Sequence, residues 1–236
     1  MATNPLIAGP EPVGADITID SNGAELAAYE SRPASGAAGA AVVVIHENRG
    51  LVPYLRDVAD GLASNGYIAV APDLLSRDGG TASIEDVPAA LSGIPRERHV
   101  ADVQAVIAHL KAQPDVSRIG IIGFCFGGGI TWRVATESAD LAAAVPFYGA
   151  NPPLEQVPSI AAAVYAVYGE NDERINAGIP DITQAMNDAG KAWEMKVYEN
   201  AAHAFHNHTN ADRYAPEAAE AAWGDALAWF AKHLAG

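Results

Sequence analysis

Residues 119–127, with the sequence IGIIGFCFG, decide the fold. An apolar run leads into Cys125, which has a glycine two positions away on each side. This is the Gly-x-nucleophile-x-Gly pattern of a strand that turns sharply into a helix, with cysteine in the place where serine is more common. Gly123 and Gly127 suit the turn because side chains at these positions would collide with it. The pattern therefore predicts a nucleophile at the carboxyl end of a strand.

Cys125 has a structural alternative. A lone cysteine is often a small buried hydrophobic side chain, and its flanking glycines can serve close helix packing. However, Cys125 follows a predicted strand and opens a predicted helix, whose positive dipole end favours a thiolate. This context favours the nucleophile. Because Cys125 is the single cysteine of the chain, an intramolecular disulfide and a thiolate zinc cage are both excluded.

Short apolar runs alternate with helical patterns along the rest of the chain. We predict strands over Asp16–Asp20, Glu25–Glu30, Ala41–Ile45, Tyr67–Ala71, Arg118–Gly123, Leu141–Tyr148, Ala162–Tyr168 and Trp193–Tyr198. We predict helices over Tyr54–Ser64, Arg96–Gln113, Phe126–Glu137, Asp181–Ala189 and Ala215–Leu234. This alternation predicts an α/β fold in which helices cover both faces of a mostly parallel sheet, giving three layers, α-β-α.

Composition limits the organisation of the chain and its partners. The 236 residues suit a single domain over 1–236, with residues 1–14 as an irregular N-terminal segment. Half of the residues are hydrophobic, and the formal net charge is −15. This acidic balance argues against nucleic acid and against an acidic membrane surface as partners. No apolar run approaches the roughly 20 residues of a membrane span, and we identify no export signal, so a cytoplasmic location is predicted.

Two further loops follow the carboxyl ends of predicted strands, as Cys125 does. The strand ending at Tyr168 is followed by acidic residues, and the strand ending at Tyr198 is followed by His203. Since strand ends of one parallel sheet meet at one edge, we expect Asp172 and His203 near the cysteine. Asp172 would orient the ring of His203, which would stabilise the thiolate and later protonate the leaving group.

Each of these two assignments has an alternative. Glu170 or Glu173 could replace Asp172, which taken alone is a solvated acid in a turn. His203 also belongs to a cluster with His206 and His208, and three imidazoles could bind zinc. On so short a loop two of these histidines are more often surface residues. We therefore predict no metal site and no cofactor.

The loop after the strand Ala41–Ile45 reads His46-Glu47-Asn48-Arg49-Gly50. In this architecture such a loop supplies one backbone N–H of an oxyanion hole, and the residue after the nucleophile supplies the other, which indicates Asn48 and Phe126. Glu47 is harder to explain. A carboxylate beside a thiolate would raise the pKa of both groups, unless the thiol stays protonated. The alternative is a salt bridge of Glu47 with Arg49 or with another basic side chain nearby.

From about Asp16 to Leu234 the chain resembles the dienelactone hydrolases, also called carboxymethylenebutenolidases, of the α/β-hydrolase superfamily. The motifs that carry the resemblance are HENRG (46–50), APDLLSR (71–77), GFCFGG (123–128), FYGA (147–150), YGENDERI (168–175) and AAHAFH (201–206). The resemblance implies an α/β-hydrolase fold and a catalytic triad of Cys125, Asp172 and His203. It further implies that Glu47 holds the thiol until substrate binding turns the cysteine toward its histidine. The implied reaction is hydrolysis of dienelactone through a cysteine acyl-enzyme, with no metal or organic cofactor.

The resemblance also implies an anionic small-molecule substrate whose carboxylate is held by two arginines. One of them falls on Arg77, and the charge of −15 agrees, because an anionic substrate needs a local cation. The second position is occupied by Asn207, with His206 beside it. The alternative for Arg77 is a solvated lid residue. We also expect Phe124 and Tyr148 to line the pocket, although both could belong to the core.

These expectations leave other functions open. Within the same chemistry, the alternative is a carboxylesterase of broad specificity that acts on short or aryl esters. Other classes are a zinc-dependent hydrolase and a non-catalytic binding protein on a hydrolase scaffold. The complete set of Cys125, Asp172 and His203 argues against the binding protein. We expect a monomer or a small homo-oligomer.

Overall fold

The computed structural model describes residues 4–36 and 39–235. An eight-stranded sheet runs through these residues. Its strands are β1 (Val13–Ser21), β2 (Ala24–Arg32), β3 (Ala40–Ile45), β4 (Ile68–Pro72), β5 (Arg118–Phe124), β6 (Leu141–Phe147), β7 (Ala163–Asn171) and β8 (Trp193–Ala202). Their order across the sheet is β1-β2-β4-β3-β5-β6-β7-β8. β1 pairs with β2, and β2 with β4, in antiparallel orientation. From β4 onward in this order, through β3, β5, β6 and β7 to β8, each strand pairs with the next in parallel.

The β1–β2 hairpin lies at one end of the strand order, and it contains the two predicted strands Asp16–Asp20 and Glu25–Glu30. Its turn is Asn22-Gly23, and both residues have positive φ, 56° and 83°. This geometry is that of the two-residue hairpin turn whose twist matches its strands. Because β1 begins at Val13, the predicted irregular segment 1–14 overlaps the strand; residues 1–3 of that segment lie outside the described residues.

Helices cover both faces of the sheet. They are α1 (Pro53–Ser64), α2 (Val87–Gly93), α3 (Arg96–Lys111), α4 (Phe126–Glu137), α5 (Glu173–Asn176), α6 (Ile179–Asp188) and α7 (Pro216–Leu234). The apolar residues of α1 and α7 pack on one face, and those of α3, α4 and α6 pack on the other. The side chains of the buried strand β3 alternate between the two faces: Val43 packs on the side of α3, α4 and α6, and Val44 on the side of α1 and α7. The predicted three-layer α-β-α fold is confirmed, while one domain over residues 1–236 stays a prediction.

The differences from the predicted elements are local. The helices α2 and α5 were not predicted, because seven and four residues are too few for a helical period to show. The strand β7 continues to Asn171 and β8 continues to Ala202, beyond their predicted ends. These extensions bring the residues that follow both strands to the sheet edge.

The carboxyl ends of four strands position the polar residues of interest. Glu47 lies two residues after β3, Cys125 directly after β5, Asp172 directly after β7 and His203 directly after β8. Because β3, β5, β6, β7 and β8 run side by side in parallel, these residues emerge at one edge. Elsewhere, none of the helices within residues 4–36 and 39–235 has the length and apolar character needed to cross a bilayer.

The close contact between α4 and β3 generates a prediction. A Cβ atom added at Gly127 would lie 2.4 Å from the Ile45 carbonyl oxygen, whereas one added at Gly129 would lie 3.7 Å from its nearest neighbour. We therefore expect Gly127→Ala to lower the free energy of unfolding by about 1–3 kcal/mol through overpacking. The matched variant Gly129→Ala should be neutral or slightly stabilising, because alanine favours helix. Urea unfolding of both variants checks this, and equal effects would contradict it.

Candidate active site

Cys125 adopts a backbone conformation that side chains rarely adopt, with φ 56° and ψ −112°. Its N–H donates to the Phe147 carbonyl at 3.1 Å, and its carbonyl accepts from the Gly129 N–H at 3.2 Å. A Cβ atom at Gly123 would meet the Gly127 carbonyl oxygen at 2.3 Å. The turn is therefore as tight as its two glycines predicted, although Gly127 makes its closest approach to β3.

The predicted nucleophile Cys125, the imidazole of His203 and the carboxylate of Asp172 meet at this edge of the sheet. The Cys125 Sγ atom lies 3.0 Å from His203 Nε2, and His203 Nδ1 lies 2.5 Å from Asp172 Oδ2. Along the chain, His203 is 78 positions from Cys125 and 31 positions from Asp172. An aspartate on Nδ1 favours the tautomer in which Nδ1 donates and Nε2 is free to accept a proton from the thiol.

Asp172 is placed by the helix that follows it. It is the N-cap of α5, and its Oδ1 accepts from the Ile175 N–H at 3.4 Å. Its carboxylate is buried, and the cap leaves Oδ2 directed at His203. The alternatives are exposed: Glu170 accepts from the Asn200 N–H, and Glu173 is in the first turn of α5. Of the three acids considered, the geometry brings Asp172 to the histidine.

Glu47 is buried and bonded to an amide. Its Oε2 accepts from Asn207 Nδ2 at 2.7 Å. The orientation of this amide is set on its other side, because Asn207 Oδ1 accepts from the N–H and the hydroxyl of Thr209. Burial raises the pKa of Glu47 to about 7, against the opposing effect of the Asn207 amide. The alternative of a salt bridge with Arg49 or another basic side chain is wrong, since Glu47 forms no ion pair with any described residue.

The environment of the thiol favours its protonated form. Burial, and then the charge of Glu47, raise the pKa of Cys125. The backbone N–H groups of Phe126 and Asn48 and the charge of Arg174 act in the opposite direction and lower this pKa. An anion that forms beside the sulfur would meet the same donors. In this arrangement the sulfur already contacts His203, unlike the contact with Glu47 that the resemblance implied.

Two cavities adjoin the sulfur, and Cys125, Asn48 and Arg174 line both. The larger, of about 1070 Å³, also contacts Glu47 and His203. The smaller, of about 270 Å³, has a largely apolar wall that includes the predicted pocket residue Tyr148. Tyr148 is nevertheless fully buried, with φ 37°. Phe126 also lines the smaller cavity.

Arg77 requires a correction. Its Nη2 atom lies 2.5 Å from Asp102 Oδ1 and 2.8 Å from both the carbonyl and the hydroxyl oxygens of Ser21. The carboxylate of Asp102 is 1% exposed, so its buried charge requires this cation. Arg77 lines neither cavity at Cys125. It is neither the predicted substrate ligand nor a solvated lid residue.

Two other predicted pocket residues belong to the core. Phe124 is fully buried against Phe147 and Tyr54, and it lines neither cavity. His206 is buried among the same rings, and its Nδ1 lies 2.7 Å from the hydroxyl of Tyr54. Burial lowers the pKa of His206 to about 3, so the ring is neutral. The prediction of substrate contacts by Phe124 and His206 is wrong because both side chains fill the interior behind the site.

The histidine cluster does not converge on a metal. His203 faces Cys125, His206 contacts Tyr54, and Nε2 of His208 lies 3.1 Å from Asp57 Oδ2. Within residues 4–36 and 39–235 no three histidine, cysteine, aspartate or glutamate side chains are grouped so that they could hold a metal ion. The geometry therefore gives no support to the zinc-dependent alternative.

Sequence reasoning missed the arginines that do reach the cavities. Arg49 and Arg213 line the larger one, Arg96 and Arg133 line the smaller one, and Arg174 lines both. The one available signal was that Arg174 lies two residues after the predicted acid. No spacing rule distinguishes it from the other arginines of the chain.

Comparisons with known proteins agree with the fold and identify a family. A model described as "Dienelactone hydrolase family" matches residues 26–234. A protein of Salmonella typhimurium named "Putative carboxymethylenebutenolidase" is 34% identical over 242 residues, covering 94% of this chain and 88% of that protein. A Bradyrhizobium protein named "Probable 2-oxo-3-(5-oxofuran-2-ylidene)propanoate lactonase" is 30% identical over 236 residues, covering 93% and 94%.

A solved structure is similar over the same extent. It is the crystal structure of a "Putative Dienelactone Hydrolase" from Klebsiella pneumoniae, which superposes with a TM-score of 0.87 at 31% identity. The match covers 94% of this chain and 100% of that one. Sequence and structure are therefore alike over nearly the whole length.

The burial of Glu47 leads to a prediction about stability and pH. Its folded-state pKa, about 7, is above the ordinary 4.5, so the unfolded chain binds fewer protons between these values. The wild-type protein must then lose stability as the pH rises through this window. The difference in the free energy of unfolding, Glu47→Gln minus wild type, should therefore be about 2–3 kcal/mol larger at pH 8 than at pH 5. Urea unfolding at both values tests this, with the exposed Glu220→Gln as control; a difference independent of pH would refute it.

The environment of Arg77 leads to a second prediction. Arg77→Gln should lower the free energy of unfolding by about 3 kcal/mol, because it leaves the Asp102 carboxylate buried without its cation. The double variant Arg77→Gln/Asp102→Asn should recover much of this loss by removing the orphaned charge. Urea unfolding measures both, and the KM for a carboxylated ester should stay within about twofold. A selective rise in that KM would restore Arg77 as a substrate ligand.

Proposed function

Because the chain belongs to the dienelactone hydrolase family, we propose that it hydrolyses the ester bond of a lactone or small ester through a cysteine acyl-enzyme. The observation that carries this proposal is the 3.0 Å approach of Cys125 Sγ to His203 Nε2, with Asp172 on the far side of the ring. Nucleophile, base and orienting acid are the three groups that acyl transfer needs.

The first half of the reaction forms the acyl-enzyme. His203 Nε2 takes the proton from the Cys125 thiol as the sulfur attacks the carbonyl carbon of the ester. The resulting oxyanion accepts hydrogen bonds from the backbone N–H groups of Phe126 and Asn48. When the tetrahedral intermediate collapses, the carbon–oxygen bond breaks and His203 protonates the leaving oxygen. For a lactone, that hydroxyl stays attached to the acyl group.

The second half releases the product. His203 takes a proton from water, whose oxygen attacks the thioester carbonyl, and the same N–H groups bind the second oxyanion. Collapse breaks the carbon–sulfur bond, which frees the carboxylic acid product, and the proton on His203 returns to the sulfur. Asp172 stabilises the imidazolium in both halves.

Glu47 acts on the resting enzyme in this proposal. Its charge raises the pKa of the Cys125 thiol, so the sulfur stays protonated until a substrate occupies the site. A protonated thiol resists oxidation and alkylation better than a thiolate does. Since the pKa of Glu47 is about 7, this protection is expected to strengthen as the pH rises through neutrality.

The proposed substrate is a small lactone, with dienelactone as the first candidate. The names of two relatives support this choice, because one is named a carboxymethylenebutenolidase and the other a lactonase of a propanoate. The second candidate is a short or aryl ester, taken by a broad carboxylesterase. The cavity of about 1070 Å³ beside the sulfur favours it, because this space exceeds the needs of a small lactone.

Variants of the proposed triad test the mechanism. We expect Cys125→Ala to abolish turnover of lactones and p-nitrophenyl esters, because no other group can carry the acyl chain. His203→Ala should lower kcat by about 10²–10⁴-fold through loss of the acid–base group. Steady-state kinetics measure both, with circular dichroism to show that each variant is folded. Turnover by folded Cys125→Ala would reject the acyl-enzyme.

The covalent intermediate can be observed directly. Rapid quenching with a slowly hydrolysed aryl ester should add one acyl group to the protein, and peptide mass mapping should place it on Cys125. Cys125→Ala should carry none under the same conditions. An acyl group on another residue, or loss of activity on treatment with a chelator, would favour a different mechanism.

A further inference from the structure

The two cavities beside Cys125 differ in charge. The larger is lined by three arginines and by three acids, Glu47, Glu85 and Asp212. The smaller is also lined by three arginines, Arg96, Arg133 and Arg174. However, no aspartate or glutamate from the described part of the chain lines it. A cationic chamber beside the nucleophile is unexpected on a chain with a net charge of −15, and it points to an anionic occupant.

The three arginines of the smaller cavity are not equivalent. Arg133 Nε lies 3.0 Å from Glu137, and a second nitrogen lies 3.8 Å from Glu97, so its charge is already balanced. Arg96 and Arg174, by contrast, form no ion pair or side-chain hydrogen bond with any residue in 4–36 or 39–235. They retain their full capacity to bind an anion.

Arg174 is the better placed of the two. It lies in α5, two residues after Asp172, and it lines both cavities together with Cys125. Its charge also acts on the Cys125 sulfur. A group held by Arg174 would therefore lie close to the carbonyl carbon that the sulfur attacks. Arg96, at the start of α3, lines the smaller cavity but not the larger one.

The remaining wall of the smaller cavity is largely apolar. It includes Phe126, Ile130, Pro152, Pro153 and Ile175. This wall suits the hydrocarbon part of an acyl group, and a volume of about 270 Å³ limits that group to a few carbons. A short chain with a carboxylate at its end fits both the apolar wall and the free guanidinium.

We propose that the smaller cavity is the subsite for a carboxylate-bearing arm of the substrate, and that Arg174 binds this carboxylate. The assignment rests on the proposed function for the identity of the ligand as a substrate. It places anion recognition on α5, next to the proposed triad, and it makes Arg174 the specificity-determining residue.

Alkylation of Cys125 tests the subsite without any turnover. Iodoacetate and iodoacetamide transfer the same type of group: the sulfur forms a bond to the CH₂ carbon, iodide leaves, and only iodoacetate carries a carboxylate. Since Cys125 is the single cysteine, loss of free thiol reports on it alone. The ratio of the two rate constants cancels any general change in thiol reactivity and isolates the effect of the negative charge.

We expect Arg174→Gln to lower the iodoacetate-to-iodoacetamide ratio by about fivefold to tenfold at low salt. Arg174→Lys should retain part of the preference, because it keeps the charge but loses the planar fork. The matched control is Arg118→Gln, which removes an exposed cation at the amino end of β5, opposite the Cys125 end. It should leave the ratio unchanged.

Other results would overturn the proposal. An unchanged iodoacetate-to-iodoacetamide ratio in Arg174→Gln would do so. A ratio that falls in Arg49→Gln or Arg213→Gln, but not in Arg174→Gln, would place the subsite in the larger cavity instead.

Paired esters separate this proposal from the proposed function. With a neutral ester and its carboxylated analogue, Arg174→Gln should raise KM about tenfold more for the analogue than for the neutral ester. If the wild-type enzyme turns over neither ester while its alkylation ratio still depends on Arg174, the ester hydrolase proposal fails and the anion subsite stands. If both esters turn over and their KM values shift equally, the subsite fails and the hydrolase proposal stands.

Discussion

The conformation of one residue is the constraint on which the site depends. Cys125 is held at φ 56°, a region that costs a non-glycine residue of order 1–3 kcal/mol. The surrounding packing supports this strain, because α4 approaches β3 and β5 so closely that Gly123 and Gly127 have no room for a Cβ atom. The sharp turn lifts the sulfur out of the sheet edge and toward His203. A relaxed backbone would direct the same side chain elsewhere, and the 3.0 Å contact would be lost.

Opposed electrostatic effects act on the sulfur once it is placed. Burial and the Glu47 carboxylate favour the thiol, whereas two backbone N–H groups and Arg174 favour the thiolate. The net effect raises the pKa of the sulfur, which lies 3.0 Å from the proposed base His203. The donors that act on a thiolate are also those that an oxyanion would meet. The proposed resting protection therefore comes from burial and Glu47, whereas the proposed transition-state stabilisation comes from the opposing backbone N–H groups.

The site differs from what the family resemblance implied at the two positions expected to carry substrate-binding arginines. Position 207, where the resemblance implied an arginine, is occupied by Asn207, whose amide contacts Glu47. A neutral partner stabilises a buried carboxylate less than a cation would, which agrees with the pKa of about 7 for Glu47. Arg77 retains its position in the sequence but balances Asp102. In the proposed subsite, Arg174 takes over the recognition of the substrate anion.

The sequence by itself determined the layered fold, the turn at Cys125 and the loops that carry Asp172, His203 and Glu47. These features depend on local signals, namely apolar periodicity and glycine spacing, and on the rule that parallel strand ends share an edge. Only the tertiary structure decided the partners of charged and aromatic side chains. Arg77 meets Asp102 25 residues away, and Asn207 meets Glu47 160 residues away. Such pairings depend on how distant elements pack and which buried charge each cation must balance, and no local pattern records that.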